Sequence, residues 1–245
     1  MRRRDALIVG GAIAVAVAIP QLLQRRVPNF EFTEMANLPG FRRLQRGALS
    51  GGPDIFAGLE TEAEAAASAR LPRDLCRAIF PAPAPSGHVP VAVFSDYYCP
   101  YCAILDQRLA ALQRSGAEIS LIFHELPLLG PRSVWAAQVA LAAAQQADHT
   151  AVHLEMMQHV LRPGRAGLRD LAERHDLDLE RLAKGANSAQ VVAQVEDAMA
   201  LGRALGLLGT PSLAVGRTLV VGALSEAELN QLIGLERQRQ PPSCL

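Results

Sequence analysis

The stretch Val91-Ala92-Val93-Phe94-Ser95-Asp96-Tyr97-Tyr98-Cys99-Pro100-Tyr101-Cys102 decides how the chain folds. Its first four residues are apolar and partly β-branched, which fits a short buried strand. Its last four hold two cysteines with two residues between them. Beyond them, from about residue 100 to 114, Leu105, Leu109 and Leu112 recur at helical spacing. Glu118-Ile119-Ser120-Leu121-Ile122-Phe123 then reads as a second strand. Strand, helix and strand in so short a span form a βαβ unit, two parallel strands with the helix crossing over. The cysteines fall where the first strand gives way to the helix.

That junction gives the spacing its chemistry. Unsatisfied N–H groups and the macrodipole at a helix N-terminus stabilise an anion, so a thiolate is favoured there. Pro100 is tolerated because the first helical turn needs no intrahelical N–H bond. Cys99, at the helix end, is expected to be the exposed attacker with a depressed pKa. Cys102, one turn in, is expected to be the more buried resolving thiol. Zinc would call for a second Cys or His pair at ligand spacing, and none lies near in sequence; a two-cysteine copper site stays open. A purely structural disulfide across so tight a loop would constrain the unfolded chain little.

Downstream, residues 131–206 read almost wholly as helix: 133–146, 150–160 ended by Pro163-Gly164, 168–175, 179–184, and a long one reaching Leu205 that Asn187 with Gln190 opens. After Gly206 the strand pattern returns at 212–215 and 218–221 around a Gly216-Arg217 turn, and Ser225 with Glu228 caps a last helix to about Gln238. The fold class is therefore α/β, a thioredoxin fold (residues 89–130 and 207–245) with a helical insertion (131–206). Upstream, 27–88 reads as an extension and Pro-rich linker. Proline, glycine and phenylalanine punctuate 27–54, so no long regular element is expected there. Thr61 with Glu64 forms a capping box for a helix over 62–70, and Pro81-Ala82-Pro83-Ala84-Pro85-Ser86-Gly87 is a stiff connector. There is no internal repeat.

The chain has 245 residues, half of them hydrophobic, so it can bury a core and wholesale disorder is excluded. Its 24 basic and 24 acidic side chains cancel, which argues against a nucleic-acid partner. The zero hides a split: residues 1–26 carry five Arg and one Asp, a net of +4, and the remainder a net of −4. The basic head precedes an apolar run from Ala6 to Leu23, bounded by Arg25-Arg26, the pattern of an exported chain. Two forms remain open: a signal peptide cleaved near Ala16 and Ala18, or an inner-membrane anchor with its arginines inside. Arg3-Arg4 followed by Leu7 also resembles a twin-arginine signal, without the usual Phe-Leu pair.

Residues 94–102 resemble the active-site segment of DsbA-like thiol:disulfide oxidoreductases, and Gly209-Thr210-Pro211-Ser212 resembles that family's cis-proline loop, which faces the cysteines. The resemblance covers about residues 89–237. It implies a periplasmic enzyme that introduces, removes or reshuffles disulfides in cysteine-containing exported proteins, without a cofactor, and with a membrane redox partner that recycles the pair. Pro100 and Tyr101 would be the active-site dipeptide, and Thr210 and Pro211 the substrate-binding loop. A cis bond there would turn the Thr210 backbone outward, so that an extended substrate pairs with it as an added strand. The alternative is a trans proline that ends a helix after Gly209. The chain departs from the wider thioredoxin pattern at Val93, where many members place a buried acid that relays a proton for the second cysteine. Help for Cys102 must come from elsewhere, with Asp96, Glu125 and water as candidates, although Asp96 reads first as a solvated loop residue or a cap. Two other functions stay open: a copper-handling thioredoxin-fold protein, and an isomerase or reductase kept reduced.

Cys76 and Cys244 are left over; in an oxidising compartment they are candidates for pairing with each other, though sequence gives no connectivity. His149 and His153 stand at i, i+4, with His159 beyond, but no carboxylate pattern reinforces a metal site. His124 reads as a loop or packing residue, Trp135 and Met156-Met157 as core or groove lining, and Glu62 and Glu64 as a solvated helix start.

Overall fold

The computed structural model describes residues 29–51, 60–239, 242 and 244. The leader, with its signal and anchor readings, lies outside them, and so does most of the 241–245 tail. Among the described residues no helix is long and apolar enough to cross a membrane.

The first strand of the βαβ unit is the sheet's spine. It runs over Val89–Ser95 (β4), and all seven of its residues are buried, as expected of a strand covered on both faces. It pairs in parallel with Ile119–Glu125 (β5), from Val89↔Ile119 to Ser95↔Glu125. Pro100–Arg114 (α3) makes the crossover. On the other edge β4 pairs antiparallel with Ser212–Val215 (β7), and β7 turns into Thr218–Val221 (β8). The hairpin has the expected bounds because alternation and the Gly216-Arg217 turn set its register locally.

The extension contributes more than its sequence promised. Thr33–Glu34 (β1) and Arg42–Gln45 (β2) are short, but β2 runs parallel to β8, so the sheet order is β1-β2-β8-β7-β4-β5. Only Leu44 in Arg-Arg-Leu-Gln is buried, so the strand carries no apolar run to reveal it. A buried carboxylate anchors it instead. Glu236 accepts from the Arg42 guanidinium at 2.8 Å, from the Thr218 hydroxyl at 2.7 Å and from the Arg217 N–H at 2.7 Å. Ser50–Gly51 (β3) forms a separate two-stranded pairing with Gly209–Thr210 (β6).

Glu62–Arg70 (α1) opens with the expected capping box, Thr61 with Glu64, and is followed by the short Leu75–Ile79 (α2). The insertion holds Pro131–Ala143 (α4), His149–Gln158 (α5), Gly164–His175 (α6), Leu179–Ala186 (α7) and Ala189–Ala204 (α8). One cap differs from expectation. Ser188, not Asn187, opens α8, with its hydroxyl accepting from the Val191 N–H. The Asn187 amide donates back to the Ala183 carbonyl and closes α7. Glu226–Arg237 (α9) starts at the Ser225–Glu228 capping box, as read. Among the described residues, two hydrophobic clusters bear on the site. One joins Phe41, Ile79, Phe80, Phe94, Leu205 and Leu219; the other joins the cysteine pair to the insertion through Val139, Val152, Met156 and Leu171. The sulfurs of Cys76 and Cys244 are bonded, which ties residue 244 to α2.

Glu236→Ala should destabilise the fold by about 3–5 kcal/mol, because it strands Arg42 and the Thr218 hydroxyl beside a buried gap. Urea unfolding checks this, and a midpoint within error of wild type would contradict the anchoring role.

Candidate active site

Cys99 is the residue that caps α3. Its backbone is extended (φ −89°, ψ 112°), its sulfur accepts from the Cys102 N–H at 3.3 Å, and Pro100 takes the first helical position. From the opposite side the carbonyl of Thr210 lies 3.3 Å from the Cys99 sulfur and accepts from its thiol. The Thr210–Pro211 peptide bond is cis. The hydrogen bond from the Cys102 thiol does most to lower the Cys99 pKa, to about 6. Burial opposes it, while Ser50, Thr210 and the Cys102 N–H help. Cys102 moves the other way. Burial pushes its thiol far up, and its bond to the Cys99 sulfur and the charge there push it further.

The attacker is not exposed as the sequence suggested: Cys99 is 2 % accessible and Cys102 is fully buried. The reason is β3. Ser50 pairs with Thr210 and Gly51 with Gly209, and the Ser50 side chain helps to lower the Cys99 pKa. The Thr210 backbone, expected to be free for a substrate, already has a strand beside it.

Under the cysteines lies a set of buried polar groups of which sequence reasoning missed the centre, Asp106. It stands one turn after Cys102 on the inner face of α3 and is fully buried. One carboxylate oxygen accepts from the Ser95 hydroxyl at 2.9 Å and lies 3.0 Å from His153 Nε2. The other has no hydrogen-bond partner. His153 Nδ1 lies 2.9 Å from the Tyr97 hydroxyl, which donates to Glu125 at 2.8 Å. His149 Nε2 reaches the same Glu125 oxygen at 2.9 Å. With the Tyr97 proton given to Glu125, both ring nitrogens of His153 donate, so the ring is an imidazolium between two carboxylates. Burial works against that charge, but Asp106 and Glu125 outweigh it and raise the His153 pKa to about 9. Burial likewise opposes ionisation of Glu125, but His149 and His153 hold it down at about 2. A charge on the inner face of a helix otherwise lined by Cys102, Leu105 and Leu109 was the signal in the sequence.

The other candidates fall as follows. Asp96 is buried rather than solvated: its oxygens accept from the Tyr98 N–H at 2.9 Å, the Leu129 N–H at 2.9 Å and the Ser133 hydroxyl at 2.7 Å. With three donors from separate segments on one carboxylate, it fixes the loop before Cys99. His124 belongs to β5, stacks on Phe94 and bonds the Ile79 carbonyl at 2.9 Å. Met156 and Met157 are core, and Trp135 packs half-buried against them. His159 pairs with Glu155 on the surface. The carboxylate that the His149/His153 spacing lacked in sequence comes from β5: ligand atoms of Glu125, His149 and His153 all lie within 4.8 Å of one another and are the group that could hold a metal. A metal there would have to displace Tyr97 from His153. Among the described residues the cysteine pair belongs to no such group.

A family model described as "DSBA-like thioredoxin domain" matches residues 90–234. Among solved structures, a thioredoxin-like oxidoreductase from Silicibacter pomeroyi DSS-3 is 32 % identical, covering 67 % of this chain and 98 % of that one with a TM-score of 0.60. The thiol-disulfide exchange protein alpha-DsbA2 from Wolbachia pipientis is 22 % identical, covering 72 % and 98 % with a TM-score of 0.59, and shares the fold. A Na(+)/H(+) antiporter, NhaA 3 of Salinispora tropica, is 33 % identical over 134 residues, 52 % of this chain. The chain spans about a fifth of that curated relative's length.

The two perturbed groups oppose each other in the reduced protein. Cys99, lowered from 9.0 to about 6, contributes stability above pH 9 that is lost as pH falls through 6. His153, raised from 6.5 to about 9, contributes stability below pH 6.5 that is lost as pH rises through 9. In Cys99→Ser only the second contribution remains, so its thermal midpoint should fall as pH rises from 6.5 to 9. The double variant Cys99→Ser/His153→Gln should lack that fall; parallel profiles in scanning calorimetry would remove the imidazolium from the account.

Proposed function

The chain belongs to the DSBA-like thioredoxin family of thiol-disulfide oxidoreductases, and from that premise we propose that Cys99 and Cys102 exchange disulfides with cysteine-containing exported proteins. One observation carries the reading. Two thiols one helical turn apart are driven to opposite acidities, one poised as nucleophile near pH 6 and the other held as thiol until it is needed.

In the reducing direction, the Cys99 thiolate attacks one sulfur of a substrate disulfide. The substrate S–S bond breaks, a Cys99–substrate disulfide forms, and the departing thiolate takes a proton from water. Cys102 then loses its proton, its sulfur bonds to Cys99, and the second substrate thiolate leaves. Two electrons have passed to the substrate and the Cys99–Cys102 disulfide remains. Oxidation of a substrate dithiol runs the same steps backwards. The unpartnered Asp106 oxygen, one turn from Cys102, is the acceptor for the proton, and it stands in for the acid that Val93 does not provide. His153 balances its charge until then.

Export is supported by the +4 leader ahead of a −4 body and by the bonded Cys76 and Cys244. A membrane redox partner would return the pair to its working state, and retention of residues 1–26 would tether the body to the inner membrane. Copper handling is the weaker reading, because a two-thiolate site would have to ionise Cys102, fully buried and with its thiol pushed far up.

Three variants test the assignment. Cys99→Ser should abolish exchange with a model disulfide, and Cys102→Ser should accumulate the mixed disulfide, visible by mass. Asp106→Asn should slow release of a preformed mixed disulfide tenfold or more near pH 7 while leaving mixed-disulfide formation at Cys99 within a factor of about three; equal release rates would remove Asp106 from the step. Stoichiometric Cu(I) capture by a wild type that exchanges no disulfide would overturn the function.

A further inference from the structure

An attacking cysteine has to meet a protein disulfide, yet Cys99 is 2 % accessible and Thr210, whose backbone a substrate strand would use, is fully buried. What covers them is the chain itself. Ser50 and Gly51 lie antiparallel to Thr210 and Gly209, in the place of an added strand. The two backbones approach as closely as glycine permits: a Cβ on Gly209 would sit 2.5 Å from Leu49 Cδ1 and 2.6 Å from the Ser50 carbonyl oxygen. The Ser50 side chain reaches the Cys99 sulfur, the place where the sulfur of a bound substrate would stand.

We propose that residues 49–51 are a built-in strap that occupies the substrate's position on Thr210, and that an extended cysteine-containing peptide must displace it to reach Cys99. The inference rests on the exchange reading of Cys99 and Cys102 and adds a regulated entry to it.

The grip of the strap is uneven. Its upstream end is firmly held: the Arg46 N–H donates to the Val221 carbonyl at 3.0 Å, Arg46 pairs with Glu228, and the Ala223 N–H donates to the Ala48 carbonyl at 2.8 Å. Gly47 and Gly222 let the chains cross there, since a Cβ on Gly47 would lie 2.0 Å from the Ala223 carbonyl oxygen. Over Leu49, Ser50 and Gly51 the described hold is the two-residue pairing with β6 and the packing of the half-buried Leu49 side chain. Residues 49–51 can therefore lift without loosening the anchor upstream of them. A cleft lined by Ala48, Tyr101 and Ile104 opens beside that point and gives an incoming peptide a foothold next to the strap. An incoming strand replaces the pairing residue for residue, and its covalent bond to Cys99 then holds it in place. Lifting also takes the Ser50 hydroxyl from the sulfur, so the covered cysteine is the more acidic one.

Alkylation of Cys99 by iodoacetamide across pH separates access from acidity: the alkaline plateau reports access and the midpoint reports the pKa. Both chains carry Cys102→Ser so that only one active-site thiol reacts. Leu49→Asp/Ser50→Pro should raise the plateau at least tenfold and move the midpoint upward; an unchanged plateau overturns the strap. A second measurement needs no strap variant. When a cysteine peptide is held as a mixed disulfide on Cys99 of the Cys102→Ser chain, amides of residues 49–51 should exchange hydrogen at least tenfold faster than in the free chain. Unchanged protection overturns the proposal. A raised plateau in a protein that forms no mixed disulfide would sink the exchange function and leave the strap standing.

Discussion

A sulfur anion at the N-terminus of α3 has to be stabilised where there is almost no water to do it. Cys99 solves this with three donors from two parts of the chain: the N–H and thiol of Cys102 on its own helix, and the side chain of Ser50 in the extension. In a buried site each such bond is stronger than it would be in water. The rest of the fold can be read as what is needed to bring those donors together. β4 ends beneath the cysteines, β6 faces them, and the insertion seals the far side through Val139, Val152 and Met156.

The same insertion does more than cover. It supplies His153, the cation between Asp106 of α3 and Glu125 of β5. Burial alone would push the Glu125 carboxyl up, and the charges of His149 and His153 hold it down instead. α5 is thereby locked to the βαβ unit through charge as well as packing, with Tyr97 as the hydrogen-bonded link. On the proposed reading Asp106, one helical turn beyond Cys102, would take the part of the acid that Val93 does not provide, with His153 as its counter-ion.

What the sequence made legible is what local chemistry determines. The βαβ unit, the Gly216-Arg217 hairpin, the capping boxes at Thr61 and Ser225 and the opposed acidities of the two cysteines all follow from residues within a turn or a strand of one another. The unread parts depend on distant partners. β2 joins the sheet through Glu236, nearly two hundred residues away, and has one buried side chain of its own. Asp106 shares the inner face of its helix with Cys102 and Leu109, but the partners that give it a role, His153 and Ser95, come from other elements. Ser50 and Gly51 carry no strand signature at all; their conformation comes from Gly209 and Thr210. The exposure expected for Cys99 failed for this reason, while its expected acidity held, with the Cys102 thiol contributing most and the helix-end N–H of Cys102 adding to it.

Gly209 carries a consequence for recognition. A residue with no side chain leaves β6 open to any backbone that can lie flat on it, and the chain's own Ser50 already uses that freedom. Strand pairing is made by main-chain groups and is nearly blind to sequence. Discrimination between partners therefore has to come from the rim. There Tyr101, Ile104 and Leu208 are exposed apolar side chains, two of them on the first turns of the cysteine helix and one directly before Gly209. An extended peptide that places its cysteine at Cys99 lays its neighbouring side chains against this collar. On the proposed reading, the burial gained there would set which strands remove the strap and which leave it in place.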